Sequence, residues 1–352
     1  MIEGDIYVTP TGIRITPYYK GQSYPLEKAT SVKNYPYNNR NPFTGFLIPS
    51  EGKKKEGIFV THLHDGLFIQ DLFPNYRITI EKAMAPKKLS HEIKINEDIT
   101  PREAQYQVMQ GIIDNEKRSS WFVHLTQGMG KTLLTIYMIP YFNYKTLIMC
   151  YNTTVLDQWI DSMLTNTNIS AKQILRMKSS SLLDAIECGE HSVDDIDIFV
   201  CTPGLLTKYG KKYGYDRLDT LFESMGIGLK VFDEAHRNIG NIITINAFTR
   251  VEKTLYLSGD FAQSDLRRGG KQELFLRMFY NTPVLKPTDE LMNSLRYTVA
   301  TVVFFDSKPT PVDEVSVYTR RGFSFYNPTV CPRWYYAHQY FRIQDFSTCK
   351  YD

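Results

Sequence analysis

The sequence has few cysteines, almost no excess of charge of either sign, and no long hydrophobic segment. Its five cysteines are widely spaced and odd in number, so we expect free thiols in a reducing compartment rather than a disulfide framework. Lys and Arg total 41 and Asp and Glu total 38. The resulting net charge of +3 is too small to identify a polyanionic partner.

Targeting and membrane signals are also missing. The first residues, MIEGDIY, have neither a basic region nor an apolar core, so we expect no secretory signal. No run approaches the roughly 18 apolar residues that span a bilayer, so we expect a cytoplasmic protein without a membrane partner. His62 and His64 would share one face of a strand, but no further ligand cluster is nearby, so a metal site is not expected there.

What is present is a globular composition, with 42% hydrophobic and 22% charged residues, divided into three regions. Residues 1–98 contain short apolar runs separated by turn residues, which predicts a small β-rich or α+β domain. Residues 99–285 alternate helical patterns with short apolar strands, which predicts a mostly parallel α/β sheet. Residues 286–352 form an aromatic-rich, proline-containing extension.

The middle region can be divided into individual elements. Thr100, Pro101 and Glu103 predict a helix that begins with Thr100 as its N-cap and runs to about residue 115. We predict the following strands and helices after it: strands at 121–125, 145–151, 196–201, 229–232 and 253–257, and helices at 133–141 and 155–164.

A glycine-rich segment, TQGMGKT at residues 126–132, lies between a predicted strand and a predicted helix. Its glycines allow positive φ, so backbone amides can surround a phosphate at the start of the helix. We predict that Lys131 binds the β- and γ-phosphates of a nucleotide and Thr132 holds Mg²⁺. Leu125 stands where the strict phosphate-loop pattern has glycine, so the segment alone also allows a turn with a surface lysine. The predicted nucleotide-binding residues of this loop are Gln127, Gly128, Met129, Gly130, Lys131 and Thr132.

A second motif, LKVFDEAH at residues 229–236, is a hydrophobic strand that ends in two carboxylates. Asp233 would bind Mg²⁺, Glu234 would orient the attacking water, and His236 would link the nucleotide site to the rest of the domain. Alone, the motif also fits an acidic pair in a loop. Together with the glycine-rich segment it supplies the complementary half of a phosphoryl-transfer site, which predicts ATP and Mg²⁺ as ligands.

Together these residues resemble superfamily 2 helicases and translocases, the group with the DEAD/DEAH box. In smaller motifs, Arg102 and Gln105 resemble the pair that reads adenine, and the LSG form at 257–259 is similar to that of UvsW-type phage helicases. Tyr151 stands where a proline is common, and the last residue of the coupling motif departs from the usual Thr or Ser. The resemblance implies nucleic-acid contacts at Asn152, Thr153, Thr202, Pro203 and Gly204, and a coupling motif at Ser258, Gly259 and Asp260.

The resemblance implies a RecA-like domain at residues 99–285 and an ATP-dependent DNA helicase or translocase, with DNA favoured over RNA and, for a viral protein, a site in the host cytoplasm. Such motors need two RecA-like domains, but only about 90 residues follow residue 260. We therefore expect the first motor half, with slow hydrolysis in isolation: a fragment, half of a split gene, or a relative without the second motor. A second chain would then supply the second RecA-like domain.

Two other functions remain open at this point. One is a non-catalytic assembly protein that keeps a RecA-like core to bind nucleotide or a partner, and the other is a nuclease or restriction translocase subunit. The smaller motifs also have ordinary structural interpretations, namely a helix-surface Gln105, strand-end turns at 202–204 and 258–260, and core packing at Trp159. A basic, aromatic patch fits either a nucleic-acid contact or a solvated loop; it comprises Lys208, Tyr209, Lys211, Lys212 and Tyr213.

Overall fold

The computed structural model describes residues 2–19, 45–62, 73–126, 128–259 and 282–294. Contacts group residues 1–291 into one compact unit and residues 292–352 into another, of which only the end of a short helix is described. Gln127, Asp260, His64, two of the cysteines and most of the aromatic extension lie outside the described residues. The predicted domain boundaries at 98 and 285 stay predictions.

The N-terminal region forms a sheet, which we call the N-terminal sheet. Within the described residues it has five strands in the order β3-β4-β2-β1-β5, antiparallel except for the β1–β5 pair. Alternate side chains such as Ile13, Ile15 and Phe59 fill its core, which confirms the predicted β-rich fold. The strands are β1 (Gly4–Val8), β2 (Gly12–Tyr19), β3 (Phe46–Ser50), β4 (Lys53–His62) and β5 (Tyr76–Ile80).

The second region forms a sheet in which every strand pair is parallel, which we call the parallel sheet. Over the described ranges its order is β12-β6-β11-β10-β7-β9-β8. β7, β9 and β10 are buried along their whole length, as a sheet covered on both faces requires. The strands are β6 (Ser120–His124), β7 (Thr146–Met149), β8 (Ile174–Arg176), β9 (Ile198–Cys201), β10 (Leu229–Phe232), β11 (Lys253–Ser258) and β12 (Val284–Leu285).

Helices follow most strands of this sheet, which confirms the predicted α/β architecture of a RecA-like domain. Short 3-10 turns occur at Ala171–Gln173 and Ala235–Arg237. The helices are α1 (Glu103–Asp114), α2 (Lys131–Phe142), α3 (Thr153–Asn166), α4 (Ser180–Glu187), α5 (Pro203–Tyr213), α6 (Arg217–Met225), α7 (Ile239–Ala247) and α8 (Asp289–Ser294).

The predicted start of the first helix is wrong by two residues. Arg102, not Thr100, is the N-cap, and it has the extended backbone that a cap requires. The reason is the side chain of Gln105, whose Oε1 accepts a 2.7 Å hydrogen bond from the backbone N–H of Arg102. Gln105 therefore takes the position in the capping box that we had assigned to Glu103.

The turn between β1 and β2 packs against α7 and connects the N-terminal sheet to the region of the parallel sheet. Thr9 Oγ1 donates a 2.7 Å hydrogen bond to the Asn246 carbonyl, and Arg14 Nη1 donates one of 2.8 Å to the Ala247 carbonyl. Gly12 is required at this contact, because a Cβ there would lie 2.6 Å from the backbone nitrogen of Ala247. The two sheets are thus held together at the helix that follows the Asp-Glu-Ala-His sequence.

The basic, aromatic patch lies on helix α5, so the interpretation as a loop is wrong. Its three lysines are exposed, but Tyr209 is completely buried and donates a hydrogen bond to Glu187. Tyr209 therefore cannot stack on a nucleic-acid base as placed.

The structure also bears on the cysteines, on a metal site and on membrane-spanning helices. Cys150, Cys188 and Cys201 are free thiols. His62 is buried beside Thr282, and across the described ranges no group of three or more His, Cys, Asp or Glu side chains is arranged to hold a metal ion. None of the helices in the described part of the chain is long and apolar enough to cross a membrane.

Candidate nucleotide and nucleic-acid site

The motif residues meet at one edge of the parallel sheet. Because its strands are parallel, the loops that follow β6, β11, β10, β7 and β9 all leave from the carboxyl ends of the strands, where open α/β folds bind ligands. In spatial order these strand ends carry the glycine-rich segment, Ser258, the Asp233–Glu234 pair, Asn152 and Thr202. Segments far apart in sequence are thereby placed side by side.

The glycine-rich loop has the backbone of a phosphate-binding loop. Gly128 and Gly130 have φ of 84° and 80°, a region that favours glycine. A Cβ on Gly130 would lie 2.3 Å from the side-chain nitrogen of Gln105, so a larger residue would be strained by its positive φ and would displace that side chain. Gly130 is also the N-cap of α2, whose first amides are available to an anion.

Leu125, the departure from the strict pattern, has a structural explanation. Its side chain is fully buried in the core beneath the loop, where a glycine would leave a void. Its backbone carbonyl accepts a 3.2 Å hydrogen bond from Lys131 Nζ. The position therefore contributes packing through its side chain and lysine placement through its backbone.

Lys131 joins the two predicted halves of the site. Its Nζ lies 3.5 Å from Glu234 Oε1, across the gap between the glycine-rich loop and the end of β10. The lysine side chain is only 11% exposed, so this charge is held between the loops rather than extended into solvent. The next residue, Thr132, is in the first turn of α2 and partly exposed. The interpretation of Lys131 as an isolated surface lysine is wrong.

Asp233 is held by neighbours on two sides. Its Oδ2 accepts a 2.9 Å hydrogen bond from the indole N–H of Trp159, and its Oδ1 accepts one of 2.9 Å from the backbone N–H of Glu234. Its own N–H donates to the Met149 carbonyl, which fixes the backbone against β7. Burial raises the pKa of Asp233 above its usual value, and the hydrogen bond from Trp159 opposes this rise.

The sequence did not reveal the role of Trp159. Its spacing with Leu156 and Met163 indicates a buried helix face, and that packing is present. Periodicity shows that an indole is buried but cannot show which acceptor its N–H reaches on another strand. The interpretation of Trp159 as core packing alone is therefore incomplete.

Glu234 has φ of 48°, which is uncommon for a residue other than glycine. Its second oxygen, Oε2, lies 3.5 Å from Nδ1 of His236, and the same Nδ1 lies 2.9 Å from Ser258 Oγ at the end of β11. A chain of polar contacts therefore runs from Lys131 through Glu234 and His236 to Ser258. The positive φ of Glu234 is a local backbone strain of the kind that is common at functional sites.

Gln105, predicted to read adenine, is buried and not on the helix surface. Its Nε2 donates a 2.9 Å hydrogen bond to the Gly130 carbonyl, while its Oε1 accepts from the N–H of Arg102. The side chain therefore connects α1 to the glycine-rich loop. Its contact with a base stays a prediction.

The residues predicted to contact nucleic acid lie at the N-termini of α3 and α5, after the neighbouring strands β7 and β9. Asn152 caps α3, since its Oδ1 accepts a 2.8 Å hydrogen bond from the Val155 N–H, while Thr153 is exposed. Pro203 is buried, but the flanking Thr202 and Gly204 reach the surface. The segment 202–204 begins a helix and is not a simple turn.

Tyr151, where a proline is common in similar helicases, packs beneath Arg237. The guanidinium carbon of Arg237 lies 4.4 Å from the centroid of the tyrosine ring. This cation–π contact links the start of α3 to the segment that follows the Asp-Glu-Ala-His sequence.

Comparison with known proteins agrees with this geometry. Residues 98–259 match the protein family described as "Type III restriction enzyme, res subunit", somewhat less than half of the chain. The matched segment contains the glycine-rich loop, Lys131, Asp233, Glu234 and Ser258 at the same edge of the sheet. The matched residues 98–259 thus carry a ResIII-type domain, the RecA-like domain of superfamily 2 helicases.

Three solved structures show similarity to the chain. The UvsW helicase from Bacteriophage T4 is 18% identical over 80% of this chain and 100% of that chain, with a TM-score of 0.43. The Pyrococcus furiosus Hef helicase domain is 19% identical over 51% of this chain and 37% of that one, with a TM-score of 0.36. The Sulfolobus solfataricus SWI2/SNF2 ATPase core in complex with dsDNA is 16% identical over 55% of this chain and 38% of that one, with a TM-score of 0.37. The chain thus spans less than half of the last two structures. No curated protein sequence matches it.

Proposed function

We propose that this helicase domain binds Mg-ATP at the glycine-rich loop and hydrolyses it to drive remodelling of DNA, such as unwinding or branch migration. The observation that carries the proposal is the position of Lys131 Nζ, 3.5 Å from Glu234 Oε1, between the glycine-rich loop and the end of β10. A lysine from one motif and a carboxylate from the other thus face a common space, as phosphoryl transfer requires.

The residues fit a magnesium–nucleotide complex. The left-handed glycines and the start of α2 form a cradle of backbone amides in which a side chain at Gly130 would clash. Thr132 and Asp233 supply oxygen ligands, and Mg²⁺ at such sites takes only one or two protein ligands besides phosphate and water. When bound, the ion would neutralise charge that develops on the phosphates.

The roles of the side chains follow from their positions. Lys131 would attract the terminal phosphates, with the positive end of α2 behind them. Glu234 would orient the attacking water and accept its proton. Its carboxylate lies beside Lys131, whereas an oxygen of Asp233 is already occupied by the hydrogen bond from Trp159. His236 lies between Glu234 and Ser258, so it would pass changes at the nucleotide to β11.

The nucleic-acid surface would lie on the other side of the Asp233–Glu234 loop. The N-termini of α3 and α5 are adjacent there, and both present backbone amides that suit phosphates. Exposed lysines of α5, Lys208, Lys211 and Lys212, add positive charge. Phosphate contacts do not distinguish DNA from RNA, and the preference for DNA rests on the resemblance to phage DNA helicases.

Binding of a fluorescent ATP analogue tests the nucleotide site. We expect the Lys131→Ala variant to bind at least about 10-fold more weakly than the wild type, since one charge-assisted contact is lost. Lys117→Ala is the matched control, because Lys117 is exposed just before β6, at the opposite edge of the sheet. Equal affinity of wild type and Lys131→Ala would refute the assignment.

The rate of hydrolysis tests the expectation of a motor half. Arginines from a second RecA-like domain stabilise transition-state charge in such motors, so turnover by residues 1–352 alone should be slow even with DNA present. Fast DNA-stimulated turnover by this chain alone would show that the expectation is wrong. Binding of Mg-ATP and of DNA without any hydrolysis would instead favour the non-catalytic assembly protein. The family description names a restriction subunit, and a restriction translocase would use the same motor residues.

A further inference from the structure

We propose that Trp159 is a positioning residue for the metal site, whose indole N–H holds the carboxylate of Asp233 in the orientation that binds magnesium. The inference rests on the proposed function, because it concerns the same magnesium–nucleotide complex. It assigns to a core tryptophan of helix α3 a part in ligand binding.

The geometry fixes the carboxylate from two directions. Trp159 Nε1 lies 2.9 Å from Asp233 Oδ2, and the Glu234 N–H lies 2.9 Å from Oδ1. The Glu234 contact comes from the adjacent residue, so it moves with the loop. The Trp159 contact comes from a separate helix, so it anchors the carboxylate relative to α3.

A donor at this position limits rotation of the carboxylate, because Oδ2 is held by a group on a separate helix while Oδ1 is held by the adjacent backbone. At many metal sites, residues that do not touch the metal orient its ligands by hydrogen bonds in this way.

The chemistry of indole suits this role. Its N–H is a donor only, so Asp233 Oδ2 is necessarily the acceptor in this contact. The ring is 1% exposed and packs with Leu156 and Met163 in the core, which fixes the position of the N–H. A flexible polar side chain would hold the carboxylate less precisely in place, since it would keep its rotamer freedom.

Trp121 shows that burial of a tryptophan does not by itself produce such a contact. It belongs to the same core cluster and is fully buried, yet its Nε1 has no hydrogen-bond partner among the described residues. The N–H of Trp159, in contrast, is directed at one oxygen of the proposed metal ligand. Trp121 is therefore a matched control for the loss of a buried indole.

The test compares Trp159→Phe, Trp121→Phe and wild type in binding a fluorescent, non-hydrolysable ATP analogue across a series of Mg²⁺ concentrations, with EDTA as reference. Trp159→Phe should leave the affinity in EDTA unchanged, because the glycine-rich loop is intact. The Mg²⁺ concentration for half-maximal tightening should rise about 10-fold, the usual effect of removing a group behind a metal ligand. Trp121→Phe should require the same Mg²⁺ as wild type.

A second set of variants separates positioning from general damage. In an Asp233→Asn background, Trp159→Phe should not change the Mg²⁺ requirement further, since both act through one carboxylate. If Trp159→Phe does not fold, benzothienylalanine at position 159 keeps the ring size and replaces the N–H by sulfur, and it should give the same rise.

Each other outcome counts against a specific claim. Wild-type binding without any dependence on Mg²⁺, or an unchanged Mg²⁺ requirement in Trp159→Phe, would overturn the role of Trp159 while leaving nucleotide binding in place. An effect of Trp159→Phe that persists in Asp233→Asn would also overturn it. Absence of nucleotide binding by the wild type would overturn the proposed function and, with it, this inference.

Discussion

Two largely buried aspartates lie at opposite edges of the parallel sheet and have different surroundings. Asp197, just before β9, is completely buried and is held by the Ser90 N–H at 2.5 Å, by Nδ1 of His91 at 2.9 Å and by Nε2 of Gln173 at 3.2 Å. Ser90 and His91 lie between the N-terminal sheet and α1, so these contacts tie that connecting segment to the amino ends of the parallel strands. Asp197 therefore has the surroundings of a structural carboxylate.

Asp233, just after β10, lies at the carboxyl edge and has a different set of neighbours. Its donors are one indole and one backbone amide, and the adjacent Glu234 faces Lys131 of the glycine-rich loop. Burial is thus common to both aspartates and does not mark the site. Asp233 differs because the amino group of Lys131, from the loop that follows β6, lies beside the adjacent Glu234. Both lie at the carboxyl ends of the strands, where open α/β folds bind ligands.

The largest effect should come from the carboxyl edge. Glu234→Gln should lower single-turnover hydrolysis of ATP about 100-fold or more, because the group proposed to accept the proton is lost. The free energy of unfolding should change little, since Glu234 is partly exposed and Gln has the same shape. Phosphate release and urea unfolding measure the two quantities. A variant with normal hydrolysis would remove the distinction drawn between the two edges.

The amino edge should show the reverse pattern. Asp197→Ala removes the acceptor of three donors, and we expect a loss of about 3 kcal/mol in the free energy of unfolding. Hydrolysis per folded molecule should stay within about 2-fold of wild type, because no nucleotide-site residue contacts Asp197. Urea unfolding, with activity corrected for the folded fraction, checks both statements. A selective loss of hydrolysis would contradict a structural role.

Lys230, in β10 near its amino end, allows a pH test of how the N-terminal sheet is attached. Its Nζ is fully buried and donates to Thr11 Oγ1, Asn246 Oδ1 and Thr249 Oγ1, and burial lowers its pKa from 10.5 to about 7. The folded state thus disfavours the charged lysine. Above pH 10.5 the unfolded chain also has a neutral lysine and the penalty vanishes, whereas below pH 7 the full penalty applies.

Stability should therefore rise with pH across this window, by on the order of 2 kcal/mol between pH 7 and pH 9 from Lys230 alone. Urea unfolding of wild type and Lys230→Met at both pH values measures it. The Met variant should lack this increment. An equal pH dependence of the two proteins would show that the pKa of Lys230 is the same in the folded and the unfolded states.

Much of the fold followed from the sequence because the strands of the parallel sheet are short, apolar and bounded by motif loops. The boundaries of β10 were predicted correctly, and β6, β9 and β11 agree within two residues. Helix starts were less accurate, since Asn152 and Gln105 cap through side chains whose targets periodicity does not show. The proximity of Lys131 to the Asp233–Glu234 pair was expected, because the spacing within each motif places it at the end of a parallel strand.

Long-range contacts were not predictable in this way. Lys230 lies in an apolar strand, and its partner Thr11 is 219 residues away in sequence, so no local pattern links them. The same holds for Trp159 and Asp233, which come from different βα units. Such contacts depend on which strands become neighbours, and this order is a property of the whole sheet.

The smallest effect should separate the two edges by their response to salt. Lys208 on α5 is exposed on the helix that begins at the proposed phosphate contacts, whereas Lys117 is exposed at the amino edge. Each change to Ala removes one positive charge, so the net charge of the two variants is the same.

If Lys208 contacts a phosphate, the slope of log affinity for single-stranded DNA against log salt should fall by about 1 in Lys208→Ala and stay unchanged in Lys117→Ala. Fluorescence anisotropy at several salt concentrations measures the slopes. Equal slopes in the two variants would mean that the α5 lysines form a solvated helix face, and the nucleic-acid surface would then have to lie elsewhere along the carboxyl edge.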